Sequence, residues 1–435
     1  MSTPTPGQPS QSQHPPTKST RRPMPASGAQ VRFIVACGLL LVLVITSAVA
    51  SAASGRGRPS GRATPRPART HTPAPAPTSA AAPTATLPVV PPTSVYFIAS
   101  SAGTGATLNA LDGASGSTRW PQPPAVAADA QIAVGENIVF VLAPNGALHA
   151  FQAGDGKQAV LHQPSLSGKF TAPPVVNASA DLLYAVSQGD ATTHSTVYAL
   201  RARNGVLRWT YDAGTNVSPT IAAAAGALYV HAGNTLLAFN PDSNTPIWHT
   251  ALEAVAPTAP PVPADGGVYL TSAGVVYRYA ADGKLAWQYP SHGLGSPSGG
   301  VPISAGDGLV IFSSGDTLTA LNSETGQKLW VQSETTPIVG TAYHDHALYV
   351  ALQNGTLLAL DVSGPTPKQM WSVPLGDSVL PPQVGPGPGG AVYTVAVSGA
   401  APQTTTTVYA LDPHDGHTRW QVPVNGGSVV QFVVA

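Results

Sequence analysis

Two histidine-rich stretches are the first places where chemistry could reside. His344-Asp345-His346 has the H-x-H spacing of a metal-binding pair, which holds an ion only when a third ligand converges on it. His414, Asp415 and His417 crowd a second stretch just ahead of Trp420. Both lie where tight turns are expected, and a solvated turn accounts for them without a metal. The single cysteine, Cys37, excludes an intrachain disulfide and any Cys-rich zinc or iron–sulfur centre. No nucleophile elbow, phosphate loop or HExxH motif is present. Asn177, Asn216 and Asn354 open N-x-S/T sequons, which matter only where exported chains are glycosylated. No residue stands out as catalytic, cofactor-binding or metal-binding.

Any element that positions such residues must be built from an unusual composition. Charged residues make up only 9% of the 435, while 44 Gly and 45 Pro favour turns and short strands over long helices. The net charge of zero conceals a segregation. Nine cations and no acid lie in residues 1–92; eleven basic residues and all twenty acids lie beyond, a net of −9. That acidity argues against nucleic acid as a partner.

The N-terminal part divides in three. Residues 1–30, rich in Pro, Ser, Thr and Gln, hold too little apolar surface to offset the entropy of folding and are expected to be a disordered basic tail. Residues 31–53 are expected to form a transmembrane helix. From Phe33 to Ala53 no charge interrupts the run, and roughly 20 residues cross a bilayer core of about 30 Å. A cleaved signal peptide is the competing reading, since Ala48-Val49-Ala50 fits a cleavage site. Ile34-Val35-Ala36-Cys37 has the look of a lipoprotein box, but the hydrophobic run follows the cysteine instead of preceding it, so a small apolar thiol in a membrane helix is the better reading. Residues 54–92, dominated by Ala, Pro, Thr, Ser and Arg, read as an extended stalk. Five arginines after the span blur the positive-inside rule. The preferred orientation nevertheless places the remainder on the extracytoplasmic side of the cell membrane.

Beyond residue 93 the chain repeats. Aligning the tryptophans gives seven copies of one motif, among them ALNSETGQKLW ending at Trp330 and ALDPHDGHTRW ending at Trp420. The others end at Trp120, Trp209, Trp248, Trp287 and Trp371, and a degenerate eighth copy puts Val160 in the slot. Slot-to-slot spacings are 40, 49, 39, 39, 43, 41 and 49 residues. A Gly-rich, all-β period of 40–50 residues is the signature of a four-stranded propeller blade. In the copy before Trp248 the strands read PTIAA, ALYVHA, NTLLAFN and PIWHT. The Asx and Gly after the third strand make a tight turn, and the tryptophan opens the fourth strand.

Closure follows from counting. First strands are expected near Ile132, Val175, Ile221, Val262, Ile303, Ile338 and Val384, and a last one at Val429–Val434. That last strand has no followers, and the strand SVYFIAS has no predecessor, so joining them completes an eighth blade. The expectation is an all-β, eight-bladed propeller over residues 93–435. The seven tryptophans are expected to be structural, each wedged between neighbouring blades.

The motif, A-L-D-x-x-T/S-G-x-x-x-W, resembles the PQQ-like β-propeller repeat, found in quinoprotein dehydrogenases and in BamB-like scaffold proteins. The resemblance covers residues 93–435. Quinoprotein dehydrogenases use adjacent cysteines, a calcium site and long insertions. This chain has one cysteine, in the membrane segment, and about 43 residues per blade. The resemblance therefore implies the BamB-like, non-enzymatic branch, with no cofactor and an unidentified protein or peptide partner. The chain departs from that branch in its transmembrane anchor and stalk; contact with the membrane is expected through residues 33–53, and the chain is expected to be a monomer. The alternative is a quinoprotein-type enzyme or small-ligand binder using the funnel on the propeller axis.

Overall fold

Short apolar runs, cut every few positions by Gly, Asn or Asp, fold into eight antiparallel sheets in a computed structural model of the chain. The structure describes residues 93–435 apart from 102–104, 163, 225, 253–258, 273, 291–302, 387–389, 400–403 and 425–426. The expected basic tail, transmembrane helix and stalk all lie outside the described residues. Among the described residues no helix is long and apolar enough to cross a membrane.

Blade 1 joins the two chain ends. Gly427–Val434 is its inner strand and pairs antiparallel with Ser94–Ser101, which pairs in turn with Gly105–Asp112. Blades 2 to 8 follow in chain order, each starting with its innermost strand. The inner strands touch one another all the way round, from Gln131–Gly135 through to Gln383–Val384, and Gly427–Val434 contacts both of these, closing the ring. Side-chain amides reinforce the seam. Gln431 Oε1 accepts the Ile132 N–H at 2.8 Å, and Gln383 donates to the Phe432 carbonyl at 2.8 Å while accepting the Val434 N–H at 2.9 Å.

Six blades have four strands, and the two that differ do so for local reasons. In blade 8 the inner strand is split into Ser378–Val379 and Gln383–Val384, because Pro381 and Pro382 have no N–H to give to the ladder. Blade 2 has three strands among the described residues; beyond Leu148–Gln152, pairing shrinks to a single Phe151–Gln158 bridge. There the His162 N–H bonds instead to the Asn204 carbonyl of blade 3. Blade 1 keeps only Ala125–Val126 as its outer strand. Pro121, Pro123 and Pro124 interrupt the approach to it, so Trp120 precedes that strand and does not open it.

Burial is organised by junction and not by a single centre. Eight apolar clusters are formed by the described residues, and each takes side chains from two neighbouring blades. In the blade 6–7 cluster, for example, Ile311, Leu318 and Trp330 meet Tyr343, Leu348 and Leu360. A sheet in a propeller has two faces to bury, and its neighbours on either side are the only surfaces available.

Candidate functional site

The tryptophan motif builds a repeated contact between one blade and the turn of the next. In blade 5, Trp287 sits near the start of the outer strand Leu285–Pro290. Its indole N–H donates to the Ser323 carbonyl of blade 6 at 2.9 Å. Asn322 Oδ1 accepts the N–H groups of Glu324 and Thr325 at 3.0 and 2.9 Å, which folds the turn back on itself. Gly326, at φ +69°, then lies flat on the Trp287 ring, so close that a Cβ there would stand 2.7 Å from the indole. Only glycine satisfies both the left-handed backbone and that approach. The same pairing of indole, carbonyl and glycine recurs for Trp120 with Ala153 and Gly156, Trp248 with Ala281 and Gly283, Trp371 with Pro413 and Gly416, and Trp420 with Gly113 and Gly116.

Other motif residues acquire reasons from this geometry. The Ala of Ala-Leu-Asp is the cross-strand partner of the tryptophan in most blades, as Ala320 is for Trp330 and Ala410 for Trp420, and its small side chain leaves room for the indole. A β-bulge just before the tryptophan turns the preceding residue outward, which exposes Ile247, Leu329 and Met370. A tyrosine of the second strand sits about one ring away from the indole, with centroids 5.5–6.1 Å apart, for Trp120, Trp209, Trp248, Trp287, Trp371 and Trp420.

The pattern weakens twice and fails once. Trp209 keeps its bond to the Pro241 carbonyl at 2.9 Å, but the blade 4 turn has Asn244 where glycine would stand. At the Val160 position, Val160 itself is 91% exposed, and the buried neighbour Leu161 packs against Gly205 in place of an indole. Trp330 keeps its cross-strand alanine and its bulge but loses both the carbonyl and the glycine of the next blade's turn. It is buried, yet its N–H has no protein acceptor. Ile311 stands where the other tryptophan-bearing blades have tyrosine. The facing turn of blade 7 runs ten residues from Asp361 to Trp371, against eight from Asn322 to Trp330. Its Gly364 does not adopt a positive φ and touches no indole.

The result is a groove of about 290 Å³ at the blade 6–7 junction. Trp330, Leu329, Val362 and Pro365 form its apolar wall, and Asp307 and His346 stand among its polar residues. Here one of the sequence-flagged histidines finds a context. Asp345 and His346 make the left-handed turn after Ile338–His344, at φ 47° and 60°. His346 Nδ1 lies 3.4 Å from the Tyr343 hydroxyl, which donates to Asp307 Oδ2 at 2.9 Å. Burial, together with the Asp307 carboxylate, pushes the Tyr343 hydroxyl above its ordinary pKa. His344 is exposed on the turn.

The other flagged residues come to less. His414 and His417 are exposed in the turn that Asp412 caps, with His417 3.5 Å from Asp415. Among the described residues no three His, Cys, Asp or Glu gather closely enough to hold a metal ion. Asn177 is buried and donates to the Ala224 carbonyl at 3.1 Å, which removes it as a sequon acceptor. One residue the motifs do not reveal is His231, fully buried on Ala227–Ala232 with both ring nitrogens unpaired.

The contrast between Trp287 and Trp330 yields a first prediction. Trp287→Phe deletes a donor and strands the Ser323 carbonyl, at about 1–3 kcal/mol beyond the loss of ring area. Trp330→Phe strands nothing and costs only the ring area. Urea unfolding of the two variants side by side is expected to place Trp287→Phe lower by about 1 kcal/mol or more; equal losses would contradict the junction geometry.

Comparison with known proteins agrees with this architecture. The model of a family described as outer membrane protein assembly factor BamB matches residues 104–215 and 193–421. Among solved structures, BamB from Moraxella catarrhalis is 18% identical, with a TM-score of 0.50, covering 75% of this chain and 90% of that one. Apo AztD from Citrobacter koseri is 13% identical, with a TM-score of 0.58, covering 79% of this chain and 98% of that one. A europium-containing methanol dehydrogenase is 13% identical, with a TM-score of 0.52, covering 70% and 81%. At these identities the likeness is one of fold. No curated protein matches the sequence. With the family model spanning most of the propeller and the indole junctions repeating around it, the chain belongs to the PQQ-like β-propeller family described as outer membrane protein assembly factor BamB.

Proposed function

We propose that this chain is a non-catalytic protein-interaction scaffold, held at a membrane by residues 33–53 and carried on the stalk of residues 54–92, with its propeller on the extracytoplasmic side. The observation that carries the reading is the rim. Outer strands of successive blades turn large apolar side chains to solvent: Ile247 is 60% exposed, Leu329 47%, Val331 50% and Met370 40%. Side chains of that kind on the open edges of sheets are suited to protein contact, including the addition of a partner's strand. The BamB family membership supports the same reading.

Crosslinking of the full-length protein in intact cells is expected to yield discrete adducts with protein partners. Absorption spectra and metal analysis of the purified protein supply the opposing result. Bound quinone with stoichiometric calcium, and no adducts, would replace the scaffold with a quinoprotein-type enzyme.

A further inference from the structure

We propose that the blade 6–7 groove binds a glycine-containing turn of a partner polypeptide, which docks on Trp330 as each blade's own turn docks on the preceding blade's indole elsewhere in the ring. The inference deepens the scaffold reading and rests on it. It is carried by two independent observations. The first is that the Trp330 N–H is buried without a protein acceptor, and a buried donor left unpaired is unfavourable. The second is that the molecule displays the complementary ligand five times over. At Trp120, Trp248, Trp287, Trp371 and Trp420 the indole receives a backbone carbonyl on its N–H and a left-handed glycine on its face. At Trp330 the longer blade 7 turn presents neither, and a groove of about 290 Å³ stands at that junction.

The walls define the partner further. Leu329 is 47% exposed beside the groove and gives an apolar shoulder to an incoming segment. Asp307 lies in the lining, and Asp345 is close enough to act on the Tyr343 hydroxyl, while no lysine or arginine is among the lining residues. Acidic surroundings favour a turn flanked by lysine or arginine. The blade 6 turn already has that form, with Gly326 followed two residues later by Lys328.

A peptide copied from that turn makes the test concrete. The probe is the cyclised heptapeptide NSKTGQK, the sequence of Asn322–Lys328 with its acidic residue made basic. In a ¹H–¹⁵N spectrum of the full-length protein, the indole resonance that disappears in Trp330→Phe belongs to Trp330, and retention of the other six shows that the variant is folded. Titration is expected to move the Trp330 resonance saturably and leave the other six in place. A peptide with valine for glycine is expected to bind at least tenfold more weakly. A Trp330 resonance that stays put at millimolar peptide, or moves equally with the valine peptide, would overturn the site. Repeating the in-cell crosslinking with Trp330→Phe separates the two levels. Unchanged adducts alongside an unmoved resonance remove this site and retain the scaffold; wild-type protein without adducts removes the scaffold itself.

Discussion

Deletion of residues 427–435 is expected to abolish the cooperative unfolding transition of the propeller. The segment is the inner strand of blade 1, and without it Ser94–Ser101 becomes an edge with seven residue pairs of ladder left open. The loss reaches further than hydrogen bonds. Phe432 is only 5% exposed and packs in the cluster between blades 8 and 1 with Phe97, Tyr393 and Trp420. The seam held by Gln431 and Gln383 disappears as well. An opened ring also presents a bare, apolar edge for association with other chains. Together these are expected to consume a stability on the order of 5–15 kcal/mol, the whole of what a domain has. Circular dichroism on heating, with light scattering, checks the result: the deletion is expected to aggregate without a sharp transition. The milder Phe432→Ala retains the ladder and is expected to cost about 3–5 kcal/mol. A deletion variant unfolding within about 1 kcal/mol of the full chain would mean that the C-terminal strand does not close the ring.

The closure was legible in the sequence because it depends on counting. Seven tryptophans at a recurring spacing give the blades, and two incomplete ends give the shared one. What the spacing could not reveal is what each occupant faces. Trp330 ends one of the most regular copies of the motif, and nothing within that copy marks it as different. Its departure lies in the next blade, in the extra length between Asp361 and Trp371 and in a turn that lacks a left-handed glycine. A contact across a junction has two halves, and a repeat aligned on one half hides a change in the other. Val160 shows the converse. Alignment assigns it the slot, but once the Phe151–Gln158 bridge ends the pairing, Leu161 takes the interior and Val160 turns to solvent. The His344-Asp345-His346 stretch was legible as a turn; only the fold brings His346 beside Asp307 and the groove. His231 carries no local mark at all. It is one of twelve histidines, and its counterparts on the second strands of the next three blades are Thr271, Ser313 and Ala351, all without ionisable side chains.

His231 governs the second large effect, a loss of stability in mild acid. Burial alone lowers its pKa from 6.5 to about 4, since neither ring nitrogen has a partner and the charged form cannot be solvated. In the unfolded chain the imidazole titrates at its ordinary value, so between pH 6.5 and 4 the unfolded state binds the proton that the folded state refuses. Stability is therefore complete above pH 6.5, falls as the pH drops through that window, and levels off below 4, where both states are protonated. A shift from 6.5 to about 4 corresponds to about 3 kcal/mol, at 1.36 kcal/mol per unit. Carboxylates held low by their partners, such as Asp112 and Asp412, begin to lose their contribution only at about pH 5 and lose most of it below 3.8, so the step from pH 7 to 5.5 reads His231 and the point at pH 4 adds the carboxylates, which His231→Leu leaves in place. Urea unfolding at pH 7, 5.5 and 4 is expected to show the loss in the wild type. In His231→Leu, which fills the site with an apolar side chain, most of the dependence between pH 6.5 and 4 is expected to vanish. An identical decline in both proteins would place the acid sensitivity elsewhere. The junction between blades 4 and 5, where His231 sits among Tyr229, Leu236 and Leu270, would then not be the ring's acid-labile joint.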